Sequence, residues 1–208
     1  MLNDKGFDAW TKHYDAQVRA DDDAGTYPFA GYEAVLAKVY ELVRQYRAKT
    51  ILDIGCGTGH LTTRLHNDGC EVYGIDFSQE MLKKAQEKMP HAHLMQYDFT
   101  FGLPPAWKNT KFDSIISTYA LHHLDNKQKL ALIKDLNRQL NKGGVMVLGD
   151  IAFETLHDME MAREQAGEEW DEEEFYFIAE DVFRWFPHCT IRFIKKSHCA
   201  GIFIIPKN

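Results

Sequence analysis

A chain of 208 residues, 45% hydrophobic and 26% charged, has the size and composition of one soluble globular domain built around a single sheet. Its formal net charge of −7 disfavours a polyanionic partner such as nucleic acid, and no apolar run approaches the roughly 18 residues of a membrane helix. Four cysteines, Cys56, Cys70, Cys189 and Cys199, lack Cys-x-x-Cys spacing, and the start of the chain is neither basic nor apolar, so a cytoplasmic protein with reduced thiols and no metal is expected.

In chain order, residues 1–45 are expected to form a helical cover. Its clearest element is Glu33 to Arg44, where Val35, Leu36, Val39, Leu42 and Val43 share one helix face. A core over residues 48–150 follows, with strands at 50–54, 71–75, 93–97, 112–118 and 144–149. Helices near 60–68, 79–88 and 126–140 alternate with them. Such alternation predicts an α/β three-layer sandwich whose parallel strands are joined by right-handed crossovers.

Residues 154–181 interrupt the pattern with Glu164, Glu168, Glu169, Asp171, Glu172, Glu173 and Glu174 among Trp170, Phe175, Tyr176 and Phe177. Two readings stand for this insertion: a solvated acidic helix face, or a lid over a pocket. Within 188–206, the runs Thr190 to Lys195 and His198 to Ile205 are separated by two residues only, which predicts an antiparallel hairpin.

The chemistry concentrates around Ile51-Leu-Asp-Ile-Gly-Cys-Gly-Thr-Gly59, an apolar strand that runs into a turn with glycine at alternate positions. A helix N-terminus at His60-Leu61 should present free N–H groups to an anion. The dinucleotide pattern Gly-x-Gly-x-x-Gly would need glycine where His60 stands. A second strand ends in Asp76, about 20 residues on, where a carboxylate can accept from vicinal ribose hydroxyls. Ser78 is the better cap for the helix that follows, which leaves Asp76 for a ligand.

Together, the Asp-x-Gly-x-Gly-x-Gly stretch and Asp76 resemble the first motifs of class I S-adenosylmethionine-dependent methyltransferases. Phe112 to Leu124 resembles the family's fourth motif in its small-molecule form, without the Asn/Asp-Pro-Pro-Tyr/Phe signature of amino-directed nucleic-acid enzymes. The opening Trp10-x-x-x-Tyr14-Asp15 is similar to that of many small-molecule members, and the whole looks most like the bacterial small-molecule branch. The resemblance implies one methyltransferase domain over 1–208 with a seven-stranded, mostly parallel sheet closing in the antiparallel hairpin. It also implies S-adenosyl-L-methionine as donor, S-adenosyl-L-homocysteine as product, and a small-molecule N, O or S acceptor methylated by in-line displacement.

By the same resemblance, Gly55, Cys56, Gly57 and Gly59 let the main chain pass the ligand's amino-acid tail and sugar, and Asp53 meets its ammonium, or else stabilises the turn. Asp76 takes the ribose, Phe77 and Met81 flank the adenine, Asp98 and the Phe99 backbone read the adenine edge, and Thr118 ends the fourth strand beside the ligand. His123, or less favoured His122, is the candidate general base, unless the pair merely starts a helix. Tyr14 is the candidate lid contact near the acceptor, with Tyr27 and Tyr32 also within possible reach. Two alternatives remain open. One is a non-catalytic sensor of the two adenosyl ligands that binds a protein through 164–174, and the other a nicotinamide-dependent oxidoreductase. The oligomeric state is open too.

Overall fold

The computed structural model of the protein describes residues 18–207. The Trp10 to Tyr14 stretch, and with it Tyr14, lies outside the described residues. After a helical stretch over 18–24, helix α1 (Tyr32–Gln45) precedes strand β1 (Thr50–Ile54), helix α2 (His60–Asn67), strand β2 (Glu71–Asp76), helix α3 (Gln79–Lys88) and strand β3 (His93–Gln96). Strand β4 (Phe112–Thr118), helix α4 (Asn126–Gln139) and strand β5 (Leu140–Phe153) complete the alternating core. Helix α5 (Leu156–Ala166), the short strand β6 (Phe177–Ile178), helix α6 (Ala179–Trp185) and the strands β7 (Arg192–Lys195) and β8 (Ala200–Pro206) finish the chain.

The strand order is β3-β2-β1-β4-β5-β8-β7. Pairing is parallel from β3 across to β5 and antiparallel for β5 with β8 and for β8 with β7. From β1 the chain builds outward first through β2 and β3, then returns to lay β4 and β5 on the other side. The carboxyl ends of β1 and β4 therefore flank a topological switch point, where open α/β sheets leave a crevice for ligands. Ile51, Leu52, Ile54, Ile115 and Ile116 are buried to within 1% of complete, as strands covered on both faces demand. On one face α1 lays its Val35, Leu36, Val39, Leu42 and Val43 stripe over β5 and β8. On the other, Leu132, Ile133 and Leu136 of α4 and Val182 of α6 cover Leu52, Ile54 and Phe203.

Several boundaries differ from expectation, among them the start of β5 at Leu140 instead of 144 and of β7 at Arg192 instead of Thr190, and two differences have clear physical reasons. Strand β5 runs to Phe153 instead of stopping at 149, because β8 pairs with it as far as Ile151 and β6 pairs beyond, at Ala152 and Phe153. The sheet thus has an eighth, two-residue strand that sequence periodicity is too short to reveal. In the hairpin, the Ser197 hydroxyl accepts from the N–H groups of Cys199 and Ala200, so the turn consumes 196–199 and β8 starts at Ala200 instead of His198.

Candidate functional site

At the end of β1 the chain must turn within four residues. Gly55 (φ 71°) and Cys56 hook over the tip of β2 by donating their N–H groups to the Ile75 carbonyl at 2.8 and 3.0 Å. A Cβ on Gly55 would lie 2.4 Å from the Ala120 Cβ, so no other residue fits between β1 and the end of β4. Gly57 (φ 53°) has open space around it, and its N–H donates to Asp76 Oδ2 at 2.8 Å. The other Asp76 oxygen accepts from Ser78 N–H at 2.9 Å, while the Ser78 hydroxyl caps α3 through Met81 N–H. Two main-chain amides thereby fix the orientation of a carboxylate that is 5% exposed. Asp53, on β1, is 2% exposed; its Oδ2 accepts from the Thr62 hydroxyl, and its Oδ1 has no partner among the described residues.

These groups open together on one cleft. Of the residues singled out by sequence, Asp53, Gly55, Cys56, Gly57, Asp76, Phe77, Met81, Phe99, Thr118 and His123 line it together. Gly59 lies behind it as the left-handed N-cap of α2, backed by Met89. Asp98 is exposed and does not line the cleft. Its Oδ1 accepts from Thr100 N–H at 2.8 Å, which caps the 3-10 turn that presents Phe99. His122 is buried behind His123, its Nδ1 2.6 Å from Asp150 Oδ1 and its Nε2 3.5 Å from Glu174 Oε1. Leu121 N–H donates to Asp150 Oδ2 and Ile151 N–H to Asp150 Oδ1, which locks that carboxylate in place.

Residues 51–144 match the family model described as a methyltransferase domain. A methyltransferase of Geobacillus sp. strain WCH70, of uncharacterised function, is 37% identical over 180 residues, covering 86% of this chain and 79% of its own. One from Alkaliphilus oremlandii is 35% identical over 149 residues, covering 72% and 67%. The chain belongs to the class I S-adenosylmethionine-dependent methyltransferases. The fold agrees with magnesium protoporphyrin IX methyltransferase from Synechocystis PCC 6803, at TM-score 0.69 and 20% identity over 86% of this chain and 85% of that one. It agrees equally with a methyltransferase from Clostridium acetobutylicum, at TM-score 0.69 and 16% identity over 93% and 98%.

Electrostatically the methyltransferase cleft has two distinct ends. Burial pushes Asp53 up to about 7, with Thr62 opposing and the Asp76 charge adding to the rise. At the other end burial opposes a charge on His122, yet Asp150 and then Glu174 outweigh it and raise the imidazole above its ordinary value. Burial, and next the neighbouring His122, hold His123 below its ordinary value, so the ring lining the cleft is neutral at neutral pH. Lys129 is wholly buried: it donates to the Phe175 carbonyl, lies 4.4 Å over the Phe177 ring, and is brought down to about 8 by burial.

The acidic insertion is not one solvated helix. Trp170 stacks on Tyr27 with ring centroids 5.1 Å apart, Tyr176 and Phe177 are buried, and Phe175 N–H donates to the His122 carbonyl at 2.8 Å. Glu174 alone among its glutamates reaches the histidine pair. Tyr27 packs in this aromatic cluster and does not line the cleft, whereas Tyr32 does.

Sequence reasoning missed Leu36, His60 and Tyr119 in the cleft wall. Tyr119 adopts φ 50°, a strained conformation for an aromatic residue, held by its N–H to Gly149 O at 2.9 Å and by the Tyr32 ring 4.9 Å away. Nothing in Ser117-Thr-Tyr-Ala signals that backbone. Only the sharp exit from β4 toward the switch point imposes it.

Proposed function

We propose that this methyltransferase transfers a methyl group from S-adenosyl-L-methionine to a small-molecule acceptor that enters beside His123. The cleft that carries the reading combines a buried carboxylate oxygen, Asp53 Oδ1, that has no partner among the described residues, with a glycine turn that leaves open space and an acid held rigid by two amides. Such a set fits the donor: Asp53 for the ammonium, Asp76 for the ribose hydroxyls, and Phe77, Met81 and Phe99 as apolar walls for the adenine. Asp98 would support the adenine site through the turn it caps, with the Phe99 backbone reading the ring.

The donor supplies a sulfonium-activated methyl group when bound. In the in-line displacement the positive charge is dispersed, so the protein's work is to align the partners and exclude water. Neutral His123 is placed to accept a proton from a hydroxyl, ammonium or thiol acceptor. A small acceptor is also consistent with structural neighbours whose own names specify magnesium protoporphyrin IX and an amino pentose.

Calorimetric titration of wild type and Asp76→Ala with S-adenosylmethionine, S-adenosylhomocysteine and NADH tests the donor assignment. Both adenosyl ligands should bind and NADH should not, and the variant should lose about 1.5–3 kcal/mol, the worth of a charged hydrogen-bonding group. Unchanged affinity in a folded variant would remove Asp76 from the ribose site. Binding without turnover across a broad acceptor panel would favour a sensor.

A further inference from the structure

We propose that His122, His123 and Glu174 form a binding site for one divalent transition-metal ion at the acceptor end of the cleft. The sequence calls for no metal, because Glu174 lies some fifty residues from the histidines and only the fold brings them together. Their ligand atoms all lie within 4.8 Å of one another. Glu174 Oε1 is 3.5 Å from His122 Nε2 and 3.7 Å from His123 Nδ1. Ligands about 2.0–2.1 Å from a tetrahedral ion stand about 3.3 Å apart, so small side-chain rotations close the site.

A cluster of two histidines and a carboxylate is common on surfaces; this one is distinguished by what surrounds it. Metal-binding histidines characteristically give their second nitrogen to a carboxylate, which aims the first at the ion. His122 does so at 2.6 Å from Asp150, itself fixed by two main-chain amides. The second Glu174 oxygen accepts from the Tyr176 hydroxyl at 3.0 Å, and Tyr176 is in turn tied to Tyr27. Phe175 N–H on the His122 carbonyl clamps the two ligand-bearing segments at 2.8 Å.

Two imidazoles and one carboxylate suit zinc or cobalt, and three protein ligands leave a fourth position open. His123 lines the cleft, so that position faces the acceptor. An ion there would hold an acceptor oxygen or sulfur and favour its deprotonated form, which would replace proton transfer to His123, whose Nδ1 is then a ligand. The site goes beyond the methyl-transfer reading, and its test requires no acceptor.

Metal-stripped full-length protein is titrated with Zn2+, and separately with Co2+ followed by its visible absorption. One ion per chain should bind at micromolar Kd or tighter, with a cobalt spectrum of low-symmetry nitrogen and oxygen coordination. Glu174→Gln should weaken binding about 100-fold. Tyr176→Phe, which keeps the ring and removes only the hydroxyl behind the ligand, should weaken it about 10-fold. Both variants should keep wild-type S-adenosylmethionine affinity, which shows an intact cleft and separates this proposal from the donor assignment. No ion bound to wild type at micromolar concentration, or equal affinity in wild type and Glu174→Gln, would overturn the site.

Discussion

Cofactor binding should be linked to the protonation of Asp53. In the free protein burial raises this carboxyl to about 7, and its Oδ1 has no partner among the described residues. An ammonium placed against that oxygen restores the ordinary carboxylate range near 4, so binding expels the proton that Asp53 holds below pH 7. The sign follows: the free state binds more protons, and affinity rises with pH. With the two values at about 7 and about 4, the proton costs a factor of about 33 at pH 5.5 and about 2 at pH 7, a roughly 16-fold gain in affinity or about 1.7 kcal/mol. That window stays below the pKa of an α-amino group, so the ligand keeps its charge. Calorimetric titration in buffers of differing ionisation enthalpy reads both the affinity and the proton release. Asp53→Asn should flatten the profile and lower the affinity at pH 7. A flat wild-type profile, with no proton released at pH 5.5, would show that Asp53 does not meet the ammonium.

Three further outcomes follow from the geometry. Gly55→Ala forces a left-handed Cβ to 2.4 Å from the Ala120 Cβ and should cost at least about 2 kcal/mol, lowering Tm by roughly 4–8 °C, whereas Gly57→Ala, with open space around it, should cost about 1 kcal/mol; equal midpoints in thermal unfolding would contradict this. Lys129→Met leaves the Asp150 and Glu174 charges without their buried cation and should destabilise by about 3 kcal/mol in urea denaturation, so a neutral result would mean that the network is compensated elsewhere. His123→Gln should reduce kcat at least 100-fold for an acceptor that needs deprotonation while leaving the S-adenosylmethionine Kd unchanged; a loss confined to KM would make the ring a binding group only.

The readable half of the molecule is the half governed by local rules. An apolar run into glycine, an acid after the second strand, and a serine one turn before Met81 each have one economical structure, and all stand where spacing places them. Asp98 shows the limit of that approach: its position after β3 was legible, but its carboxylate satisfies the backbone of a 3-10 turn that periodicity does not detect. Tyr119 is less legible still, because its left-handed backbone is imposed by the Gly149 carbonyl on the neighbouring strand and not by its own sequence.

The acidic insertion explains why the histidine end of the cleft resists reading from sequence. By composition, the seven carboxylates of residues 164–177, set among four aromatic residues, belong in water, and Glu172 does remain exposed in an ion pair with Arg163. Glu174 is turned inward because its neighbours settle the matter: Tyr176 and Phe177 are buried against Tyr27, Trp170 and Phe203, and that anchoring drags the glutamate between His122 and His123. The aromatic burial outweighs the cost of desolvating one carboxylate only because Tyr176 and His122 meet it there. The histidine end of the cleft therefore depends on packing more than a hundred residues from Glu174 in sequence, at Tyr27, and changes in that cluster should alter the His122, His123 and Glu174 arrangement without touching the glycine turn.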